Sequence, residues 1–204
     1  MPLFSVAQDL RGDQELSASY GRESGTDMIQ GFSGSRSRPS LDYSAYNSGT
    51  FNSGNMFLTY RYSICKRLSL GATLGTEFVS FDYYSNRGLR TDPPVLLGQY
   101  KANITTLAVE LKPVYYNGSL IQLYGLVGLG GRYYSEHQVS GQNAGSNNGF
   151  PNLFFNSQWT PLGVRVGKQL SGFVDLGLGY KGLVNAGVCY RFSRKTVAPV
   201  AKTE

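Results

Sequence analysis

No stretch of about 18 consecutive apolar residues occurs in this chain, so no transmembrane helix is encoded. Charge is scarce as well: Asp, Glu, Lys and Arg supply 16% of the 204 residues, where soluble globular domains carry roughly 25%. A surface with so few charges is poorly suited to water. The net charge of +6 is not gathered into any Lys/Arg run longer than two, and no nucleic-acid motif accompanies it. A nucleic-acid partner is therefore not expected. Histidine occurs once, at His137, and cysteine twice, at Cys65 and Cys189. That is too little for a metal centre, and neither metal nor cofactor is expected.

What the chain does have is glycine (26), tyrosine (15) and a period of two. In LSLGATLGTEFVSF, from Leu68 to Phe81, residues Leu68, Leu70, Ala72, Leu74, Thr76 and Phe78 share one face, while Ser69, Gly71, Thr73, Gly75 and Glu77 share the other. The stretch from Leu183 to Phe192 repeats the scheme. Such segments fall at about 13–24, 53–64, 68–81, 100–115, 119–133, 153–167, 172–180 and 183–192. Long polar connections, about 25–52, 82–99 and 134–152, alternate with short ones at Lys66-Arg67, Asn117-Gly118 and Lys168-Gln169. A last short turn falls at Lys181-Gly182. Asn-Gly is a strong hairpin signal, and Pro93-Pro94 bars a central strand in the second long connection.

With both termini at one end, the three long connections gather at the other, the asymmetry of outer-membrane barrels. In hydrocarbon every backbone amide needs an internal partner, and strands provide that only when the sheet closes. The pattern therefore predicts an all-β chain, an eight-stranded antiparallel up-and-down transmembrane β-barrel over 13–192. A polar tail, 193–204, follows it, and an N-terminal segment, 1–12, precedes it. Within that segment Ser5-Val6-Ala7 has the small-x-small form found before signal-peptidase cleavage, so residues 1–7 read as the remnant of an export signal.

Alternation alone leaves the direction of the faces open, because a soluble barrel alternates too. Glycines such as Gly71, Gly75, Gly128, Gly130, Gly163, Gly167, Gly177 and Gly179 suit a crowded eight-strand interior. Each strand has about one charge, too few for a wet exterior. Aromatic residues cluster near strand ends as an interfacial girdle: Tyr20, Tyr60, Tyr62, Phe78, Tyr115, Tyr133, Tyr180, Tyr190 and Phe192. The polar face is then the lumen, lined by Glu15, Glu23, Arg61, Glu77, Glu110, Lys112, Arg132, Arg165, Asp175 and Arg191. Five acids against five bases permit pairing throughout, so a salt-bridged plug is expected rather than a pore.

On strand count, loop asymmetry and the terminal Tyr190-Arg191-Phe192, the chain resembles the small eight-stranded outer-membrane barrels of the OmpA and OmpX type over about residues 13–192. The resemblance implies a bacterial outer membrane location, contact with outer-membrane lipid and lipopolysaccharide, and reading of Tyr190 and Phe192 by the barrel-assembly machinery. The chain departs from that family by its polar tail, Ser193 to Glu204, after the last Phe.

Catalytic residues are not expected. A lipid A deacylase would set His and Ser two apart on a lipid-facing strand, a spacing that Ser135 and His137 share only in reversed order. In a Gly/Asn-rich connection these residues read as solvated. Cys65 and Cys189 are both expected on the lumen face. Strand one stands between their strands, holding the Cα atoms roughly 10 Å apart, beyond disulfide reach. The long connections carry Arg36, Arg38, Tyr43, Tyr46, Phe51, Arg87, Arg90, Phe150 and Phe154, residue types that favour a surface ligand or merely rim the barrel. Three functions follow from these features: membrane integrity or surface contact through the long loops; a narrow channel or carrier for small or apolar solutes; and, third, a lipid-modifying enzyme.

Overall fold

A computed structural model describes residues 11–22, 45–85, 95–141 and 152–192, with side chains placed for all of these except 45–52, 81–85, 95–98, 100, 136–141 and 152. Eight strands run β1 (Gln14–Arg22), β2 (Ala45–Cys65), β3 (Leu68–Ser85), β4 (Val95–Asn117), β5 (Ile121–Gly141), β6 (Asn152–Gly167), β7 (Leu170–Gly179) and β8 (Val184–Phe192). Each pairs antiparallel with its neighbours in sequence, and β8 returns to β1, giving a closed barrel. Closure leaves no edge within the wall, so every ladder amide there has a partner.

The two faces separate cleanly. Exposed on the outside stand apolar residues such as Leu58, Leu74, Val109, Leu129, Val174 and Val188, while Thr59, Thr73, Glu110, Gly128, Asp175 and Cys189 point inward and are buried. A water-soluble protein partitions these residues the other way. The surrounding solvent must therefore be hydrocarbon over this band, with the polar groups sheltered inside. Pro161, which has no N–H to give, sits at a register shift between Trp159 and Leu162 where β6 meets β7, the bulge position a proline within a strand requires.

Strand lengths are unequal, and the inequality shapes the barrel. The strands β2 to β5 have 21, 18, 23 and 21 residues, whereas β1, β7 and β8 have 9, 10 and 9. Because about 9–11 residues suffice to cross a bilayer, the long strands project well beyond it. The projection corrects the expected loops: residues 45–52, 82–85, 95–99 and 134–141, all assigned to connections by composition, are strand. His137 and Ser135 accordingly lie on β5, in register with Lys101 and Asn103. Polar composition misled here because these stretches lack the period of two by which a strand is read.

The expected girdle residues Tyr20, Tyr60, Tyr62, Phe78, Tyr115, Tyr133, Tyr190 and Phe192 are all exposed on the outer face. The placement of Tyr180 there is wrong: it is 0% exposed and lies inside the lumen. The expected inward position of Cys65 is also wrong, since a register shift between Ser63 and Cys65 leaves it exposed. Both cysteines are free. Residues 1–10 and 193–204, Glu23, Arg36, Arg38, Tyr43, Arg87, Arg90, Pro93, Pro94 and Phe150 lie outside the described residues, as do the side chains of Tyr46 and Phe51.

Replacing Val109 by Arg on the lipid face should cost about 2–4 kcal/mol if it lies near the midplane, read by urea titration of protein refolded into vesicles. The buried Thr73, hydrogen-bonded to Thr59 at 2.8 Å, should tolerate Ser at about 1 kcal/mol. Reversed sensitivities would mean that the barrel is inside out.

Candidate functional site

Glu110 lies about two thirds of the way along β4, inward, with Gly71 of β3 and Gly128 of β5 beside it in the ladder. Two neighbours without side chains leave room for others to converge on its carboxylate. Arg61 of β2 reaches it from one side, Nη2 donating to Oε2 at 2.7 Å, and with Nη1 holds Oε1 of Glu15 at 3.1 Å. Glu15 of β1 also pairs with Arg165 of β6, and with Lys112 Nζ at 3.5 Å. Four strands are thus tied across the lumen by two carboxylates.

The short β7–β8 turn completes the cluster, and it does so by folding inward. Lys181 Nζ lies 2.5 Å from Glu110 Oε1, and the Tyr180 hydroxyl donates to the same oxygen at 2.9 Å. The backbone N–H of Lys181 donates to Gln158 Oε1 at 2.8 Å, and the Tyr180 ring packs tilted against Phe57 at 5.9 Å. Gly128 and Gly21 make this possible: a Cβ on Gly128 would meet the Tyr180 ring, and one on Gly21 would overlap the Lys181 carbonyl. Side-chain exposures of 0% for Glu110 and 1% for Lys181 mean that water scarcely reaches the cluster.

Two further groups flank it. Glu77 takes Arg132 Nη2 at 2.5 Å nearer the long-strand end. Asp175 accepts from the Tyr124 hydroxyl at 2.6 Å and from Asn185 Nδ2 at 3.1 Å, while Lys112 Nζ stands 4.2 Å over the Tyr124 ring. Ser171 accepts from Arg165 Nε at 2.6 Å and contacts Cys189 Sγ at 3.0 Å. Of the expected lumen charges, Glu15, Arg61, Glu77, Glu110, Lys112, Arg132, Arg165, Asp175 and Arg191 are buried inside. Asp13, Lys181 and the tyrosines Tyr124 and Tyr180 were not anticipated. Asp13 opens the first alternating run, and Tyr124 shares the inward face of its strand with Gln122 and Gly128, so neither stood out as a lumen group by residue type alone. Nothing in the period of two marks Lys181; the small residues that admit its turn, Gly21 beneath its carbonyl and Gly128 beneath Tyr180, are recognisable only once the turn is seen to fold inward.

Chemically, the arrangement is a buried network of paired charges and hydroxyls across the lumen. Its carboxylates are occupied by cations or hydroxyls, and among the described residues no group of three His, Cys, Asp or Glu side chains could hold a metal ion. At the turn end Tyr190 and Phe192 meet edge-on, ring centroids 4.7 Å apart, with Gln169 Nε2 donating to the Tyr190 hydroxyl at 2.9 Å.

A closed antiparallel wall of eight strands, an apolar band with aromatic residues toward its borders, and a polar interior define the class: a transmembrane β-barrel of the outer-membrane type. Among solved structures the chain is similar to Ail, the attachment invasion locus protein of Yersinia pestis. Against its crystal structure in complex with the heparin analogue sucrose octasulfate, the identity is 15% over 90% of this chain and 100% of that chain, with a TM-score of 0.42. A second crystal structure of Ail aligns at 16% identity over the same shares, with a TM-score of 0.37. No protein-family model and no curated protein sequence matches the chain. The barrel's assignment stands on its own strand pairing and exposure.

Exchanging Glu110 for Gln removes the negative charge shared by Arg61 and Lys181. The loss should be about 3–5 kcal/mol, the cost of stranding a buried charge, seen as a lower urea midpoint in detergent. Adding Lys181→Met should recover part of it, because one stranded cation is then gone. An unchanged midpoint for Glu110→Gln would contradict the network.

Proposed function

We propose that this chain is a non-enzymatic barrel of the bacterial outer membrane, acting in surface contact through its projecting long-strand end. The observation that carries this reading is the coincidence of a filled lumen with an over-long wall. Glu110 and Lys181 block the interior, which disfavours a conducting path, while β2 to β5 run to about twice the length a bilayer needs. Strand beyond the bilayer contributes nothing to spanning. It adds surface at the far rim.

The projecting sheet has features suited to contact. Residues Asn152 to Asn156 of β6 pair with β5 on one side, and β7 begins its pairing only at Gln158. Along that edge Leu153, Phe154 and Phe155 are 76%, 57% and 78% exposed. Aromatic side chains beside open backbone groups favour protein contact or the outer-leaflet boundary. Lipid and lipopolysaccharide surround the band, and Tyr190 with Phe192 supplies the terminal pattern for the assembly machinery.

Purified protein in planar bilayers should give no steady single-channel steps, and a photo-crosslinker at Phe154 on intact cells should yield discrete protein adducts absent when it is placed at Leu176 in the apolar band. Steady conductance steps would overturn the plug, and rim adducts no different from those at Leu176 would overturn the contact role.

A further inference from the structure

All acidic side chains that the structure places, Asp13, Glu15, Glu77, Glu110 and Asp175, are buried in the barrel, none more than 7% exposed. Cations are not so confined: Arg11, Arg22, Lys66, Arg67, Lys101 and Lys168 are exposed. Four of these six stand at the turn end. Arg11 precedes β1, Lys66 and Arg67 form the β2–β3 turn, and Lys168 lies in the β6–β7 turn. Among the described residues no exposed carboxylate accompanies them. Among the described residues the cations at this end therefore form an electropositive ring with no exposed acid to balance it.

The ring lies at a defined depth. Outward positions Tyr62 and Ile64 on β2, Tyr115 on β4, and Tyr190 and Phe192 on β8 form the last apolar belt at this end. Lys66 stands in the turn just beyond Ile64 and Cys65, within roughly 7 Å of the last outward apolar position. That distance carries a flexible cationic side chain from the hydrocarbon border to the level of the lipid phosphates. Tight turns keep the cations there. Gly12 N–H donates to the Ser63 carbonyl and Val114 N–H to the Arg67 carbonyl, each at 2.9 Å, so the backbone beneath Arg11, Lys66 and Arg67 is fixed.

We propose that Arg11, Lys66, Arg67 and Lys168 form a binding ring for the phosphates of anionic phospholipid headgroups in the leaflet facing the turn end. The inference rests on the membrane-spanning reading and goes beyond it by naming a ligand class and its residues. Headgroup phosphates are the anions that lie in a plane around the barrel at this depth, within a Debye length of the side chains.

The full chain, folded in zwitterionic detergent, is mixed with equal amounts of phosphatidylglycerol and phosphatidylcholine and its lipid adducts are counted by native mass spectrometry. Phosphatidylglycerol adducts should exceed phosphatidylcholine adducts by about tenfold, given several cations near an anionic headgroup. The ratio should fall severalfold in the triple variant K66Q/R67Q/K168Q, which leaves only Arg11 of the ring, and stay high in R22Q/K101Q, which removes cations from the opposite end. Heat-dependent gel mobility reports that each variant remains a folded barrel. Should the triple variant fail that check, Lys168→Gln alone should lower the ratio by about two- to threefold. Parity in the unaltered protein, or a preference that survives loss of the turn-end cations, would overturn the ring. Either result in a heat-modifiable protein would leave the membrane barrel itself standing.

Discussion

Everything in the interior depends on the Glu110 carboxylate being shared. One oxygen takes Arg61 from the wall, and the other takes Lys181 and Tyr180 from a turn folded into the lumen. A lone buried carboxylate is costly to desolvate, and so are lone buried ammonium and guanidinium groups. Each makes the others tolerable. Through Arg61 the arrangement continues to Glu15 and from there to Arg165 and Lys112, so β1, β2, β4, β6 and the β7–β8 turn share one electrostatic unit. The same groups that hold the wall together occupy the space that a solute would need. Mechanical closure of the wall and burial of its charges are one event, and the proposed contact role follows from it.

The barrel answers two solvents at once. Apolar residues such as Leu107, Val109 and Leu176 face outward because hydrocarbon is the medium there, and polar residues turn inward to find partners. Charge follows the same partition with a further bias. The acids placed by the structure are spent on internal pairing, while several cations remain at the two borders. An inward-facing acid always has a basic or hydroxyl partner to meet, whereas a border cation meets lipid headgroups.

Alternation made the wall legible in the sequence. The Leu68–Phe81 and Leu183–Phe192 stretches already assigned each residue to a face, because a bilayer on one side and a crowded lumen on the other impose opposite chemistry on successive positions. Legibility ended where that contrast ended. Asp82 to Ser85 and Ser135 to Gly141 carry no alternation of apolar and polar residues, so they read as loop although they are strand. It ended again at Tyr180 and Lys181. A turn that folds inward has no period, and an aromatic residue near a strand end has the same composition whether it anchors at the interface or plugs the lumen. The lumen acids and the arginines of the strands were legible; the lysine from the turn, on which Glu110 equally depends, was not.

The two native thiols offer the most direct measurement of closure. Cys189 lines the lumen at 2% exposure, while Cys65 is exposed at the turn end. Treated with a small, charged thiol reagent and weighed, the folded barrel should gain one label at Cys65 promptly, and a second at Cys189 only after unfolding. Prompt double labelling of the folded protein would mean that water and ions travel through the lumen, and would contradict the closure on which the account stands.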